Sequence, residues 1–256
     1  MLAFGDVTTV ITDDLAVVPA PRPDAAPAVV TTADLASPPA APPAVPAARR
    51  GRAGLTPAAV VAEAARLADE SRDARVPLAT VADRLGVRLP SLYKHVAGAD
   101  GLRRGLARLA AEGLRAALDD AATTAAAGPR DHRLGTLAVA YRRWAGERPG
   151  LYLALATPVH PDDAEHAAAL AAVTDRLVEV VLAYGASGDD SVLDGVRLLR
   201  SGLHGFVSLE NTGGLGVPDG VARSFERLVA VLDVALTDVA SPAPAASGAD
   251  TGPPTA

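Results

Sequence analysis

Ser91, Tyr93, Lys94 and His95 place a hydroxyl, a phenol, an ammonium and an imidazole within one short stretch. Phosphate oxygens and base edges take hydrogen bonds from groups of this kind, so the row reads as a nucleic-acid surface. Arg88, Leu89 and Pro90 lead into it. Arg88 suits either a guanine or a phosphate, and Leu89 suits a thymine methyl. Thr80 adds a hydroxyl on the preceding segment. Upstream, Arg49, Arg50 and Arg52 read either as a solvated charged linker or as an arm reaching phosphates or a minor groove.

Other groupings carry less chemistry. His160, Asp162, Asp163 and His166 bring nitrogen and oxygen ligands together, but they straddle a proline loop and a helix start, where aspartates act as caps. No metal site is assigned. Cysteine is absent, which removes thiolate nucleophiles, thiolate zinc sites and disulfides. There is no Gly-x-Ser-x-Gly and no phosphate-loop lysine, and the glycines of 213–220 lack the dinucleotide-binding spacing. Ser201 and His204 lie three apart without an orienting acid, and Ser201 reads as a small packing residue. Neither a catalytic residue nor a cofactor is expected. Tyr141, Trp144, Tyr152, His204 and Phe206 hold most of the large rings in a chain poor in them. They are either ordinary core or the lining of an internal pocket, with Arg142, Arg143 and Glu210 as charged neighbours.

The elements that must position these groups read as helices throughout. Thr56-Pro57 is a cap and a first-position proline opening a helix to about 70, with Val60, Ala64, Leu67 and Ala68 inward. Thr80 and Asp83 form a capping-box-like start to a second helix over 80–85, stopped by Gly86. Pro90 opens a third over 90–96, with Leu92 and Val96 inward. Longer helical patterns follow over 100–126, 131–147, 162–185, 191–210 and 219–239, with a short apolar segment at 151–156. No segment of the folded part shows strand periodicity, so the fold class is all-α: a three-helix head and a helical-bundle body.

The expected organisation is a Pro/Ala-rich disordered extension over 1–48, a DNA-binding domain over 49–108, a helical body over 109–239, to which the family resemblance given below assigns ligand binding and dimerisation, and a disordered tail over 240–256. Residues 1–18 lack the basic start of an export signal, and Asp6, Asp13 and Asp14 interrupt their apolar stretch. Translation from a later start is the alternative. No apolar run reaches membrane-spanning length, which fits a cytoplasmic protein. Net charge is −6, divided as −4 over 1–48, +6 over 49–108 and −8 over the rest. The positive field therefore sits on the segment that carries the helix-turn-helix pattern.

That segment resembles the TetR/AcrR family of transcriptional regulators at Val81-Ala82, Leu85-Gly86-Val87, Leu92-Tyr93, His95 and Asp100-Gly101-Leu102. Val96 stands where the family usually has an aromatic, and Ala99 where it usually has a lysine. Arg103 or Arg104 is then left to supply the phosphate contact. The body resembles the WHG-type C-terminal domain of such regulators over 140–155 and 199–218. His204-Gly205 matches, while Arg200 replaces the expected tryptophan and Leu215 an aromatic. The resemblances imply a homodimeric repressor that binds a palindromic operator in double-stranded DNA and is released by a small-molecule effector. They imply a dimer surface on the last two helices, assigned to Leu199, Leu203, Val207, Phe225, Leu228 and Leu232. A helical carrier or enzyme whose basic head is only structural is the alternative from another class.

Overall fold

The computed structural model describes residues 55–125, 129–217 and 219–241. The arginines at 49, 50 and 52 and the two terminal extensions, up to 54 and from 242, lie outside them.

Thr56 is extended, and its hydroxyl accepts from the Ala59 amide at 3.1 Å, so that Pro57 begins α1 (Pro57–Ser71) as the sequence predicts. Val60, Ala64, Ala65 and Ala68 form its buried face. Helix α2 (Leu78–Leu85) ends at Gly86, whose φ of 67° is the left-handed conformation a glycine supplies at no steric cost. Its start differs from expectation. Leu78 is buried in the head core and draws the first turn back to Pro77, so Thr80 lies exposed inside the helix and caps nothing.

The third helix is also shorter than expected. Only α3 (Leu89–Leu92) is helical, and Tyr93, Lys94 and His95 form a turn in which the amides of His95 and Val96 both donate to the Leu92 carbonyl, at 2.8 and 3.0 Å. Leu92 and Val96 still point into the core. A turn satisfies both anchors as well as a helix does, and it leaves the chain placed to enter α4 (Gly98–Ala125) through Gly98 at φ 67°.

At 28 residues, α4 runs about 42 Å and crosses from head to body. The body adds α5 (Arg130–Glu147), α6 (Pro149–Ala154), α7 (Ala164–Ala183), α8 (Asp189–Asn211) and α9 (Val221–Ala240). Helices α5 and α7 flank α4, α8 packs on both of them, and α9 lies outside against α8 and α5. Asp163 caps α7 by accepting from the His166 amide at 3.0 Å. The described residues hold nine helices and no strand, around one continuous apolar core that runs from Val60 to Leu236.

Two fastenings hold the head against the body besides the helix they share. The Asp69 carboxylate at the end of α1 takes Arg148 Nε at 2.5 Å through one oxygen and the Leu151 amide at 2.9 Å through the other. There α1 and α6 are so close that a Cβ on Gly150 would stand 1.8 Å from the Ala68 carbonyl oxygen, closer than any side chain allows. Along α4, Arg104 reaches Asp163 at 3.9 Å and Arg108 pairs with Glu165.

Candidate functional site

The head surface is built outward from its anchors. Leu92 has no exposure and Val96 is buried, whereas Tyr93 between them is 57% exposed, with Lys94 beside it exposed as well. Arg88 and Pro90 are exposed as well, and Ser91 and His95 are half-buried. The structure thus brings Arg88, Pro90, Tyr93 and Lys94 to the surface of one loop–helix–turn. Leu89 is different: it packs partly against the core. Of the two arginines left to replace the lysine, Arg103 pairs with Asp100 on the outside of α4, at 2.7 Å, and Arg104 is turned toward Asp163 of the body.

In the body, the rings singled out from the sequence divide into two groups. Tyr141, Trp144, Tyr152 and His204 come together. The Tyr141 and Tyr152 hydroxyls are 3.0 Å apart, the Tyr152 hydroxyl lies 2.6 Å from His204 Nδ1, and Ser208 Oγ is 3.4 Å from Nε2 of the same ring. Trp144 meets Tyr152 edge-on, with ring centres 6.4 Å apart. Gly113 gives the indole room, because a Cβ there would lie 3.0 Å from Trp144 Cζ2. Phe206 belongs elsewhere. It stacks at a tilt on Phe225, 5.2 Å between centres, where Arg142 lies over the Phe225 ring at 4.7 Å and holds Glu210 through two bonds at 2.8 and 2.5 Å.

Burial sets the protonation states in this group. It raises the Tyr141 and Tyr152 phenols well above their usual range, so both stay protonated. It lowers His204, and the nearby Arg200 charge lowers it further, so the imidazole is neutral at pH 7. The network is a chain of neutral donors and acceptors.

Beside this chain is a cavity of about 40 Å³ between α4, α5, α7 and α8, whose walls are mostly apolar, Leu114, Leu170, Val173 and Leu177 among them, and whose polar lining residues are Tyr141, Thr174, Arg200 and His204. Arg200 and His204 also line an open groove of about 650 Å³ on the outer side of α8. Arg200 was visible in the sequence as a departure from the WHG pattern. The α4 and α7 residues of the wall carry no such mark, since they read as ordinary helix stripes.

The residues assigned to the dimer surface face into the subunit. Leu199, Leu203 and Val207 have no exposure, and Phe225 and Leu232 are buried within the subunit, leaving only Leu228 partly exposed. Their stripe is the larger apolar face of α8 and α9, and it is used to build this subunit. Of the nine large apolar side chains that are exposed, Leu198, Leu209, Val217, Val231 and Val234 belong to α8, α9 and their connection. Ser201, read as a packing residue, is exposed and lines the groove.

His160 stays beside Asp162, with Nδ1 3.8 Å from the carboxylate, and Asp163 caps the helix that carries His166. Among the described residues no group of three or more metal-ligating side chains converges. His166 is fully buried and neither ring nitrogen has a hydrogen-bond partner, while His160 is half in solvent. No described helix is long and apolar enough to cross a membrane.

Residues 134–232 match the family model described as the tetracyclin repressor-like C-terminal domain. The chain is 34% identical over 162 residues to the uncharacterized HTH-type transcriptional regulator YobS of Bacillus subtilis (strain 168), covering 62% of this chain and 80% of that one. It is 34% identical over 134 residues to the uncharacterized HTH-type transcriptional regulator Rv0681 of Mycobacterium tuberculosis (strain ATCC 25618 / H37Rv), covering 52% of this chain and 60% of that protein. A solved structure of a protein of unknown function from Rhodococcus sp. RHA1 shares the fold, with a TM-score of 0.60 at 24% identity over 76% of this chain and all of that one. With a helix-turn-helix head on a helical frame and these relatives, the chain belongs to the TetR family of transcriptional regulators, which bind DNA.

Proposed function

We propose that this regulator is a homodimeric repressor, working in the cytoplasm without catalytic turnover, that reads an inverted-repeat operator with Arg88, Pro90, Ser91, Tyr93, Lys94 and His95 and lets go when a small molecule occupies the body. The observation that carries the reading is the exposed Tyr93–Lys94 pair standing on buried Leu92 and Val96, in the one segment of the chain with positive net charge. An exposed phenol and ammonium fixed from beneath by two core anchors are held in place to meet a groove. Thr80, exposed on α2, is in the same DNA-facing set, and the arginines at 49, 50 and 52 are the candidate arm.

The dimer surface is reassigned to Leu198 and Leu209 of α8 with Val231 and Val234 of α9, which would pair with their twofold mates in a four-helix bundle. Two heads related by that axis require an operator with matching symmetry. The effector site is the cavity beside Tyr141, Trp144, Tyr152 and His204. Its occupant acts only through the difference in its affinity for the DNA-competent and DNA-incompetent states.

Selection of bound sequences from random double-stranded DNA tests this reading. An enriched inverted repeat is expected, with binding that weakens steeply as salt rises. A single unpaired half-site, or affinity that stays flat with salt, would count against the dimer or the groove contact respectively.

A further inference from the structure

His166 is buried outright, and neither nitrogen of its ring has a hydrogen-bond partner. A neutral imidazole carries one donor and one acceptor, so leaving both unmet is costly. The residue stands in the first turn of α7, against the end of α4 that carries the head. Two ion pairs cross between the helices beside it: Arg104 Nε lies 3.9 Å from Asp163 Oδ2, and Arg108 pairs with Glu165.

The charges around the ring are already engaged. Asp163 accepts the His166 amide through Oδ1 at 3.0 Å and faces Arg104 through Oδ2. Glu165 is held by Arg108, which also approaches Glu112 at 3.8 Å. His160 and Asp162, ahead of the helix, lie 3.8 Å apart on the surface. Residues 149–159, through α6 and beyond, hold no charged side chain. One turn further along α7, α5 presents Tyr141, and α8 presents Arg200 and His204, to the cavity that Leu170 lines. Among these groups a proton on the ring meets two arginines and no carboxylate to spare.

We propose that His166 is a proton-operated release between body and head: the charged imidazole leaves its buried place, parts the start of α7 from α4, and frees the head to leave DNA. This rests on the reading of the head as the part that contacts DNA. A charged ring needs acceptors for two N–H groups. It gains them only by moving into water or by drawing Asp163 off Arg104, and either course undoes a fastening between α4 and α7. Burial holds the pKa of this ring below the ordinary 6.5; Asp163 opposes the shift and Arg108 adds to it. The closed contact is therefore at full strength above that ordinary value and loses strength as pH falls below it. At pH 5.5 an exposed imidazole of ordinary pKa is protonated about ten to one, so the open form gains about tenfold.

Hydrogen exchange of the full-length protein without DNA, at pH 7.5 and 5.5 and corrected for the intrinsic pH dependence of exchange, tests the opening. Protection of the amides over 100–111 and 166–173 is expected to fall about tenfold in acid, with that of α9 unchanged. In His166→Leu and His166→Met this fall should be lost. The two differ in shape, and the one that keeps the unaltered melting temperature at pH 7.5 is scored; should neither keep it, the pattern in the unaltered protein judges the proposal by itself. A fall spread evenly over all helices, no fall at all, or the same fall in the scored variant overturns the inference. Affinity for the selected DNA is then compared at each pH between the unaltered protein and the variant, so that the contribution of His95 cancels. The unaltered protein should lose about threefold or more relative to the variant at pH 5.5, whereas matching pH profiles overturn the release of DNA. A protein that selects no DNA at pH 7.5 sinks the reading of the head instead, and the exchange result still judges the proton-driven opening.

Discussion

Tyr93 and Tyr152 mark the contrast between the two halves of this regulator. Tyr93 is 57% exposed on a turn fixed by the residues on either side of it. Tyr152 is 1% exposed, and its hydroxyl is shared between Tyr141 and His204, 11 and 52 residues away. The head holds its chemistry out on a short local scaffold, whereas the body encloses its chemistry where three helices meet. A surface made locally can change its contacts without disturbing the core. A site made by distant elements cannot change without moving those elements, which suits the signalling role proposed for the body.

The contrast is sharpened most by Tyr93→Ala. Preference for the selected repeat over random DNA should fall by about 10³-fold, to nonspecific binding, with the melting temperature unchanged. Footprinting that still shows the repeat would remove Tyr93 from the reading surface. Gly150→Ala should act in the opposite way. With its new Cβ against the Ala68 carbonyl, it costs about 3 kcal/mol and lowers the melting temperature by roughly 10 °C. A melt identical to that of the unaltered protein would mean that the contact between α1 and α6 is not held in solution.

A smaller effect is expected from acid. His166 is buried without partners, and burial lowers its pKa from the ordinary 6.5; His204 is lowered in the same direction. The unfolded chain then takes up protons before the folded one, so stability is level above that ordinary value and declines as pH falls through it. His166→Leu should make this decline shallower in denaturant titrations at acid pH, and His204 should account for a remainder. An unchanged slope would place the sensitivity elsewhere. The smallest effect belongs to Lys94→Ala, which should lower the slope of log affinity against log salt by roughly one and leave sequence preference in place. A loss of preference would move Lys94 from phosphate to base contact.

Legibility followed the same divide. Thr56-Pro57, Gly86 and the Leu92/Val96 pair act over a few residues, so their roles could be read directly from the chain. The expectation of a helix over 90–96 failed because two apolar residues four apart fit a turn as well as a helix. Thr80 looked like a cap because nothing in the sequence says that Leu78 is buried. In the body, residue type pointed to Tyr141, Trp144, Tyr152 and His204, but Phe206 was grouped with them by kind alone. It follows His204 by two positions, about 200° around the helix, and so faces another neighbour. The residues assigned to a dimer surface turned out to face inward because α8 and α9 each carry apolar side chains on two faces, and periodicity does not say which face closes the subunit. Asp69 left no sign, since its partners lie 79 and 82 residues away.

The length of α4 sets the resolution of the proposed switch in base pairs. A rod of about 42 Å that tilts by about 5° at its body end carries its far end sideways by roughly 3.7 Å, close to the ~3.4 Å rise of one step along each DNA strand. In the proposed dimer two such tilts of opposite sense would change the distance between heads by about two base-pair steps, enough to put them out of register with half-sites spaced by a helical turn. The occupant of the body therefore needs to refold nothing. It needs only a few degrees, and the Asp69 fastening between α1 and α6 decides how freely those degrees are given.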